Sequence, residues 1–185
     1  IFPSCFSPEK NLQKKLIWFH AASIGEVQSI IPIIEKLNDD RKNLEILITT
    51  VTLSAGNIIK KKLINYTNIK HRYFPLDINF LVKKFLNAWK PEKIIFVDSE
   101  VWPNLIIEIN KRKIPITLIN GRITKKTFYK WMLVPKFAKK IFNKFDLCLA
   151  SSRESEEHLK KLDVKNLKYI GNIKFSGKIK KDNLI

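Results

Sequence analysis

The sequence predicts an α/β domain: a Rossmann-like parallel sheet with helices on both faces. Three observations predict it. Short β-branched apolar runs alternate with longer segments of helical periodicity. The runs are near-continuously apolar, as strands covered on both faces are, and do not alternate apolar with polar. The chain has 185 residues, 45% of them hydrophobic, with 5 Gly and 8 Pro. That is enough for one sizeable core and unlike a disordered composition.

The elements follow in order. Residues 1–15 are irregular. A strand at 16–19 leads to a helix at 26–37, where Val27, Ile30, Ile31, Ile34 and Leu37 form one apolar stripe. Pro32, near its first turns, predicts a slight kink. Strand 44–49 precedes helix 54–65, strand 70–74 precedes helix 78–89, and strand 93–97 precedes helix 104–112, with Pro103 suited to that helix's first turn. Strand 116–119 leads to helix 128–142, strand 147–150 to helix 153–162, and strand 167–170 closes the series. From Gly171 the chain is polar, basic and unpatterned. The predicted organisation is therefore an irregular segment 1–15, a Rossmann-like domain 16–172 and a linker 173–185. Crossovers between parallel strands should be right-handed.

Thirty-five Lys and Arg face seventeen Asp and Glu, a formal net charge of +18. Such a field favours polyanions: nucleic acid, an anionic membrane surface or phosphorylated substrates. Lysine beside Ile and Asn is also what coding bias alone produces. No helix-turn-helix, RRM or zinc pattern accompanies the charge, so nucleic acid is not expected as a partner. Cys5 and Cys148 have no disulfide or metal spacing, and Cys148 reads as a small core residue. The histidines are far apart, with His71 and His158 expected at the surface and His20 at a strand end. No metal site is expected. No run approaches 18 apolar residues and no signal-peptide core opens the chain, so membrane contact would be peripheral.

Ligands of open parallel sheets bind beyond the carboxyl ends of the strands. His-Ala-Ala-Ser-Ile-Gly-Glu follows the first strand at 20–26, and Thr-Thr-Val-Thr the second at 49–52. Asp-Ser-Glu-Val-Trp-Pro-Asn follows the fourth at 98–104, Asn-Gly-Arg the fifth at 120–122, and Ser-Ser-Arg the sixth at 151–153. The opposite edge carries mainly Pro and Lys turns. This asymmetry predicts a cleft on the first edge. Neither Gly-rich phosphate fingerprint is present.

Glu26 has two readings. Ser23-x-x-Glu26 matches a capping box, in which Glu26 bonds back to the Ser23 amide. A carboxylate at a helix N-terminus is also kept ionised by the helix dipole, and in a cleft it can take a proton from an attacking hydroxyl. Gly25 beside it lets a substrate approach the backbone. Asp98 and Glu100 flank Ser99 as either an acidic helix start or part of the same cleft. Arg122 could grip a phosphate or carboxylate, or be a solvated loop residue. Segment 124–145 interleaves Lys with aromatic residues, with Phe137, Ile141 and Phe145 expected on one helix face. It suits either an anionic membrane surface or a core-facing helix with solvated lysines.

With those residues in view, the chain resembles the Kdo (3-deoxy-manno-octulosonic acid) transferases. WFHAASIGEVQSIIPIIEKL carries their His-Ala-Ala-Ser-x-Gly-Glu hallmark. ILITTVTLSAG, FPLD, VDSEVWPN, INGRIT and YIGNIKF follow in the family's order. The resemblance implies the N-terminal, acceptor-side half of a GT-B glycosyltransferase, which transfers Kdo from CMP-Kdo to a phosphorylated lipid A precursor in lipopolysaccharide biosynthesis. It implies no cofactor and no metal. It makes Glu26 the proton acceptor, Glu100 and Lys174 transition-state stabilisers, and Ser23, Gly25, Asp98, Asn104 and Arg122 substrate-binding residues. It implies a peripheral place on the cytoplasmic face of the bacterial inner membrane. Two departures stand out: the family's Glu-Thr-Glu is Asp98-Ser99-Glu100 here, and its Asn-Ala-Arg-Leu-Ser is Asn120-Gly121-Arg122-Ile123-Thr124. The CMP-binding domain and the membrane anchor lie outside these residues, so the chain alone is expected to have little or no transferase activity. An inactive or split-gene fragment of such an enzyme is the alternative.

Overall fold

The computed structural model describes residues 3–8, 14–41 and 43–175. The expected irregular start and linker fall partly outside them. Seven strands form one all-parallel sheet in the order β3-β2-β1-β4-β5-β6-β7. The strands are β1 Lys15–His20, β2 Leu44–Thr50, β3 Ile69–Tyr73, β4 Lys93–Val97, β5 Ile116–Gly121, β6 Leu147–Ala150 and β7 Leu167–Tyr169. The helices are α1 Ile24–Asp40, α2 Leu53–Lys62, α3 Asn79–Trp89, α4 Pro103–Lys111, α5 Lys125–Met132, α6 Pro135–Phe142 and α7 Arg153–Lys161.

Successive strand residues point to opposite faces, and each face has its own core. Leu16, Trp18, Leu47, Ile94, Phe96, Ile116 and Leu118 pack with apolar residues of α3 to α7. Ile17, Phe19, Ile46, Ile48, Val97 and Ile119 pack with α1 and α2. The sheet is therefore covered on both sides, which is why its central strands read as unbroken apolar runs. The edge strand β3 is only half-buried along its whole length.

Hydroxyl caps start four of the helices just past the strand ends. Ser23, Thr52, Thr124 and Ser152 each accept from the backbone N–H three residues on. Helix α4 has no such cap of its own, because Trp102 occupies the N-cap position. Its first N–H groups are served from another loop. Asp77 accepts from the Asn104 N–H at 3.1 Å and the Leu105 N–H at 2.9 Å, while the Asn104 side chain donates to the Asp77 carbonyl at 2.7 Å.

Several expectations need correction. The helix expected over 128–142 is two helices, α5 and α6. Val134, the residue before Pro135, is forced out of helical geometry (φ −132°, ψ 61°), and Pro135 starts α6 instead. Phe137 consequently does not share a buried face with Ile141 and Phe145: it is 42% exposed and they are buried. Pro32 falls mid-helix in an unbroken α1, on its exposed side. His158 is buried, not at the surface. It stacks on Phe128 at 4.5 Å, and its Nδ1 bonds the Ile123 carbonyl at 2.7 Å. His71 is half-buried, with Nε2 2.9 Å from the Thr50 hydroxyl, and burial, aided by Lys60 and Arg72, lowers its pKa to about 4. Cys5 lies in the core, where its carbonyl accepts from Trp89 Nε1 at 2.6 Å. Cys148 is a core residue whose thiol burial pushes up to about 12, well away from reactive thiolates.

Asp77→Ala should lower stability by about 1 kcal/mol, the usual value of an N-cap carboxylate. Urea denaturation with an unchanged slope checks it.

Candidate active site at the switch point of the sheet

In this strand order the chain runs outward from β1 in one direction and from β4 in the other. The crevice between the carboxyl ends of β1 and β4 is the topological switch point, where open α/β sheets bind ligands. The sequence places His-Ala-Ala-Ser-Ile-Gly-Glu on one side of it and Asp-Ser-Glu on the other.

Glu26 sits in the first turn of α1 and is 8% exposed. Its Oε2 accepts from the Ala22 N–H at 2.8 Å and its Oε1 from the Ser23 hydroxyl at 2.7 Å. This differs from the expected capping box: the amide it caps is that of Ala22, one residue earlier than Ser23. The dipole was also expected to keep it ionised. Instead burial raises its proton affinity, the bonds from Ser23 and Ala22 oppose this, and the nearby Glu100 and Asp98 carboxylates add to the rise. The net direction is upward, which makes its carboxylate a stronger base than an exposed glutamate.

Asp98 and Asn120 end their strands in the left-handed region, with φ of 65° and 53°. Asp and Asn tolerate this region best among residues with a side chain. The turn at Asp98 is held by Asp98 N–H to Ile119 O at 3.0 Å and Arg122 N–H to Asp98 O at 3.2 Å. Both side chains then seize the incoming tail. Asn120 Oδ1 accepts from the Ile173 N–H at 3.1 Å, and Lys174 Nζ donates to Asp98 Oδ2 at 2.8 Å. The 3₁₀ turn Ile173–Phe175 thus brings Lys174 to the switch point, with its Cε 4.0 Å from where a Cβ on Gly25 would lie. Gly25, Gln28, Pro32 and Lys174 help line a cleft of about 210 Å³ there.

Glu100 is held by two ring N–H groups or ring nitrogens on one oxygen. Trp102 Nε1 donates to Oε2 at 2.8 Å, and His20 Nε2 lies 3.2 Å from the same atom. His20 is fully buried, with Phe74 tilted against it at 4.1 Å.

The structure therefore brings Glu26, Glu100, Asp98, Lys174, Ser23 and Gly25 to one crevice. Asn104 is engaged with Asp77 at the start of α4. Arg122 is exposed, and its guanidinium makes no hydrogen bond or ion pair with the described residues. Sequence reasoning missed what Thr49, Phe74, Asp77, Trp102 and the Asn120 side chain do. Their positions after strands pointed to Thr49, Trp102 and Asn120 as cleft-edge residues but not to their partners, and the contacts of Thr49, Phe74, Asp77 and Asn120 join segments distant in the chain.

The Glu26 carboxyl should titrate above an ordinary glutamate, with Glu100→Gln lowering its midpoint, as carboxyl ¹³C NMR would show. Because the native pKa is raised, the stability Glu26 contributes is fully present below its unfolded-state pKa and is lost as pH rises through the native one. Glu26→Gln should flatten that part of the stability–pH curve.

Comparison with known proteins agrees with this geometry. Residues 3–177 match the family model described as 3-deoxy-D-manno-octulosonic-acid transferase (kdotransferase). A mitochondrial Arabidopsis thaliana protein named as a probable 3-deoxy-D-manno-octulosonic acid transferase is 40% identical over 78% of this chain and 32% of its own length. The 3-deoxy-D-manno-octulosonic acid transferase of Rickettsia typhi is 32% identical over 92% of this chain and 36% of its own length. The chain thus spans about a third of these relatives. In fold it is similar to the UDP-GlcNAc 2-epimerase of Neisseria meningitidis, with a TM-score of 0.59 at 15% identity, over 91% of this chain and 51% of that one. The epimerase of Rickettsia bellii gives 0.56 at 18%, over 92% and 50%. The fold is thus the Rossmann-like half of a GT-B-type molecule, and the chain belongs to the 3-deoxy-D-manno-octulosonic-acid transferase family.

Proposed function

We propose that this chain is the acceptor-side half of a glycosyltransferase that moves Kdo from CMP-Kdo to a phosphorylated lipid A precursor, with Glu26 as general base. The observation that carries the reading is the position of Glu26. It is a buried carboxylate of raised proton affinity at the switch point, beside Glu100 and Asp98, and Asp98 in turn holds the Lys174 ammonium. Membership of the family supports the transferred sugar.

The chemistry follows from those groups. An acceptor hydroxyl attacks the anomeric carbon of Kdo as the bond to the CMP phosphate breaks. The hydroxyl proton passes to Glu26, and CMP leaves with the bonding electrons. Positive charge develops on the anomeric centre, as in glycoside hydrolysis, and Glu100 stabilises it. Lys174, steadied on Asp98, offers its charge to the departing phosphate. Ser23 acts through Glu26, whose Oε1 it already binds. Gly25 leaves room for the sugar, and the exposed Arg122 suits an acceptor phosphate. Asn104 supports α4 rather than reaching substrate. A second, CMP-binding domain would complete the cleft. No cofactor or metal enters these steps, in which Lys174 meets the charge of the departing phosphate. In the full-length gene product, Glu26→Ala should cut turnover about 10²- to 10⁴-fold, the usual contribution of a general base, with the fold intact. Near-normal turnover by a folded Glu26→Ala variant sinks the reading.

The acceptor is a lipid, and the surface of α5 and α6 suits the membrane that holds it. Leu133 is 81% exposed, Tyr129 59%, Val134 50% and Phe137 42%. Exposed Lys125, Lys126, Lys130, Lys136, Lys139 and Lys140 lie on the same two helices. Apolar side chains among lysines on a short helical pair fit the interface of an anionic bilayer, here the cytoplasmic face of a bacterial inner membrane. The chain should co-sediment with phosphatidylglycerol vesicles, more weakly as salt rises and more weakly still as Leu133→Glu.

A further inference from the structure

The His20 ring was expected at a strand end on the cleft edge. It has no exposed surface at all. Any part it plays must pass through its neighbours, and its two nitrogens have different ones. Nδ1 lies 2.8 Å from Thr49 Oγ1, and Nε2 lies 3.2 Å from Glu100 Oε2.

The direction of these bonds can be deduced. Trp18 Nε1 can only donate, and it donates to Thr49 Oγ1 at 2.8 Å. Thr49 thereby accepts one proton and has its own to give. Among the described residues, the acceptor within reach of that hydroxyl is His20 Nδ1. A nitrogen that accepts carries no proton, so the neutral ring has its proton on Nε2, facing Glu100. There it donates to Oε2, the oxygen that already accepts from Trp102 Nε1 at 2.8 Å. Among the described residues Oε1 takes no hydrogen bond. The relay Trp18–Thr49–His20–Glu100 therefore runs one way, from the core to the carboxylate.

The ring also cannot swing. Phe74 is tilted against it at 4.1 Å, and Phe96 and Trp102 meet it edge-on at 6.0 and 6.4 Å. Register fixes it in the sheet as well, where His20 pairs with Thr49 of β2 and Phe96 of β4.

The geometry points to His20 as a positioning residue: an imidazole, its Nε2 proton turned to Glu100 by Trp18 and Thr49, that with Trp102 pins one oxygen of Glu100 and leaves the other for the positive charge of the reaction. This rests on the reading of Glu100 as the carboxylate that serves the transition state. The contribution is orientation, as for the outer partners that aim a metal's ligands.

The first test is spectroscopic and independent of activity. In long-range ¹H–¹⁵N spectra of the labelled chain, His20 should show a protonated Nε2 and a bare Nδ1, and Thr49→Val should move population to the Nδ1–H form. A predominant Nδ1–H form in the unaltered chain overturns the proposal. The second test is kinetic, in the full-length gene product. His20→Leu should lower kcat about 10- to 100-fold with little change in KM, the range for lost orienting partners. His20→Gln, whose amide nitrogen can reach the Nε2 position, should recover most of it. If Glu100→Gln is inactive while a folded His20→Leu turns over normally, the positioning role is wrong and the role of Glu100 stands. If Glu100→Gln is fully active, the role assigned to Glu100 fails, and the NMR result alone decides the tautomer. Should His20→Leu not fold, the comparison of Thr49→Val with the unaltered chain decides.

Discussion

The left-handed turn at Asp98 is the constraint from which the rest of the site follows. A residue with a side chain pays about 1–2 kcal/mol to sit there. Asp98 is held at φ 65° by backbone bonds to Ile119 and Arg122, which carry the β4–β5 ladder one step past the strand. That turn leaves the carboxylate where Lys174 can reach it and sends residues 99–102 back towards β1, so that Glu100 meets His20. The same device recurs next door at Asn120, whose amide oxygen holds the backbone of Ile173. Two adjacent strands thus end in the same unfavourable geometry, and both side chains are spent on fixing one returning segment. Strain of this kind gathers where surrounding structure over-determines a functional site.

Much of this was legible in the sequence. Every strand lies within about two residues of its predicted range, and for the central strands the reason is that burial on both faces leaves an unmixed apolar signal. The clustering of polar residues after the strands located the crevice. The helix predicted over 128–142 runs through Pro135, because Phe137, Ile141 and Phe145 continue at helical spacing beyond it. His158 was misplaced because its partners, Ile123 and Phe128, lie far off in the chain. Glu26 was read correctly as a helix-start carboxylate. Its burial and its like-charged neighbours, which reverse the expected effect of the helix dipole, appear only when β1 and β4 lie side by side.

The charge of the molecule is divided in a way that composition hides. The chain is strongly cationic, at +18. Yet its crevice holds Glu26, Asp98 and Glu100 against Lys174. Repulsion from Glu100 and Asp98 adds to burial in making the Glu26 proton harder to remove. A base that must take a proton from a neutral hydroxyl gains from that repulsion. The lysines meanwhile face outwards on α5 and α6, where they act on what the protein meets rather than on the chemistry.

The loop after β3 joins two fixed points. Phe74 lies against His20, and Asp77, three residues on, supplies the N-terminal cap of α4. Surface loops ordinarily accept insertions and deletions. This one cannot lengthen or shorten without either withdrawing the ring from His20 or uncapping the helix that follows Glu100. Its length is set by the distance between two anchors, while the exposed Leu76 between them is left to vary in identity.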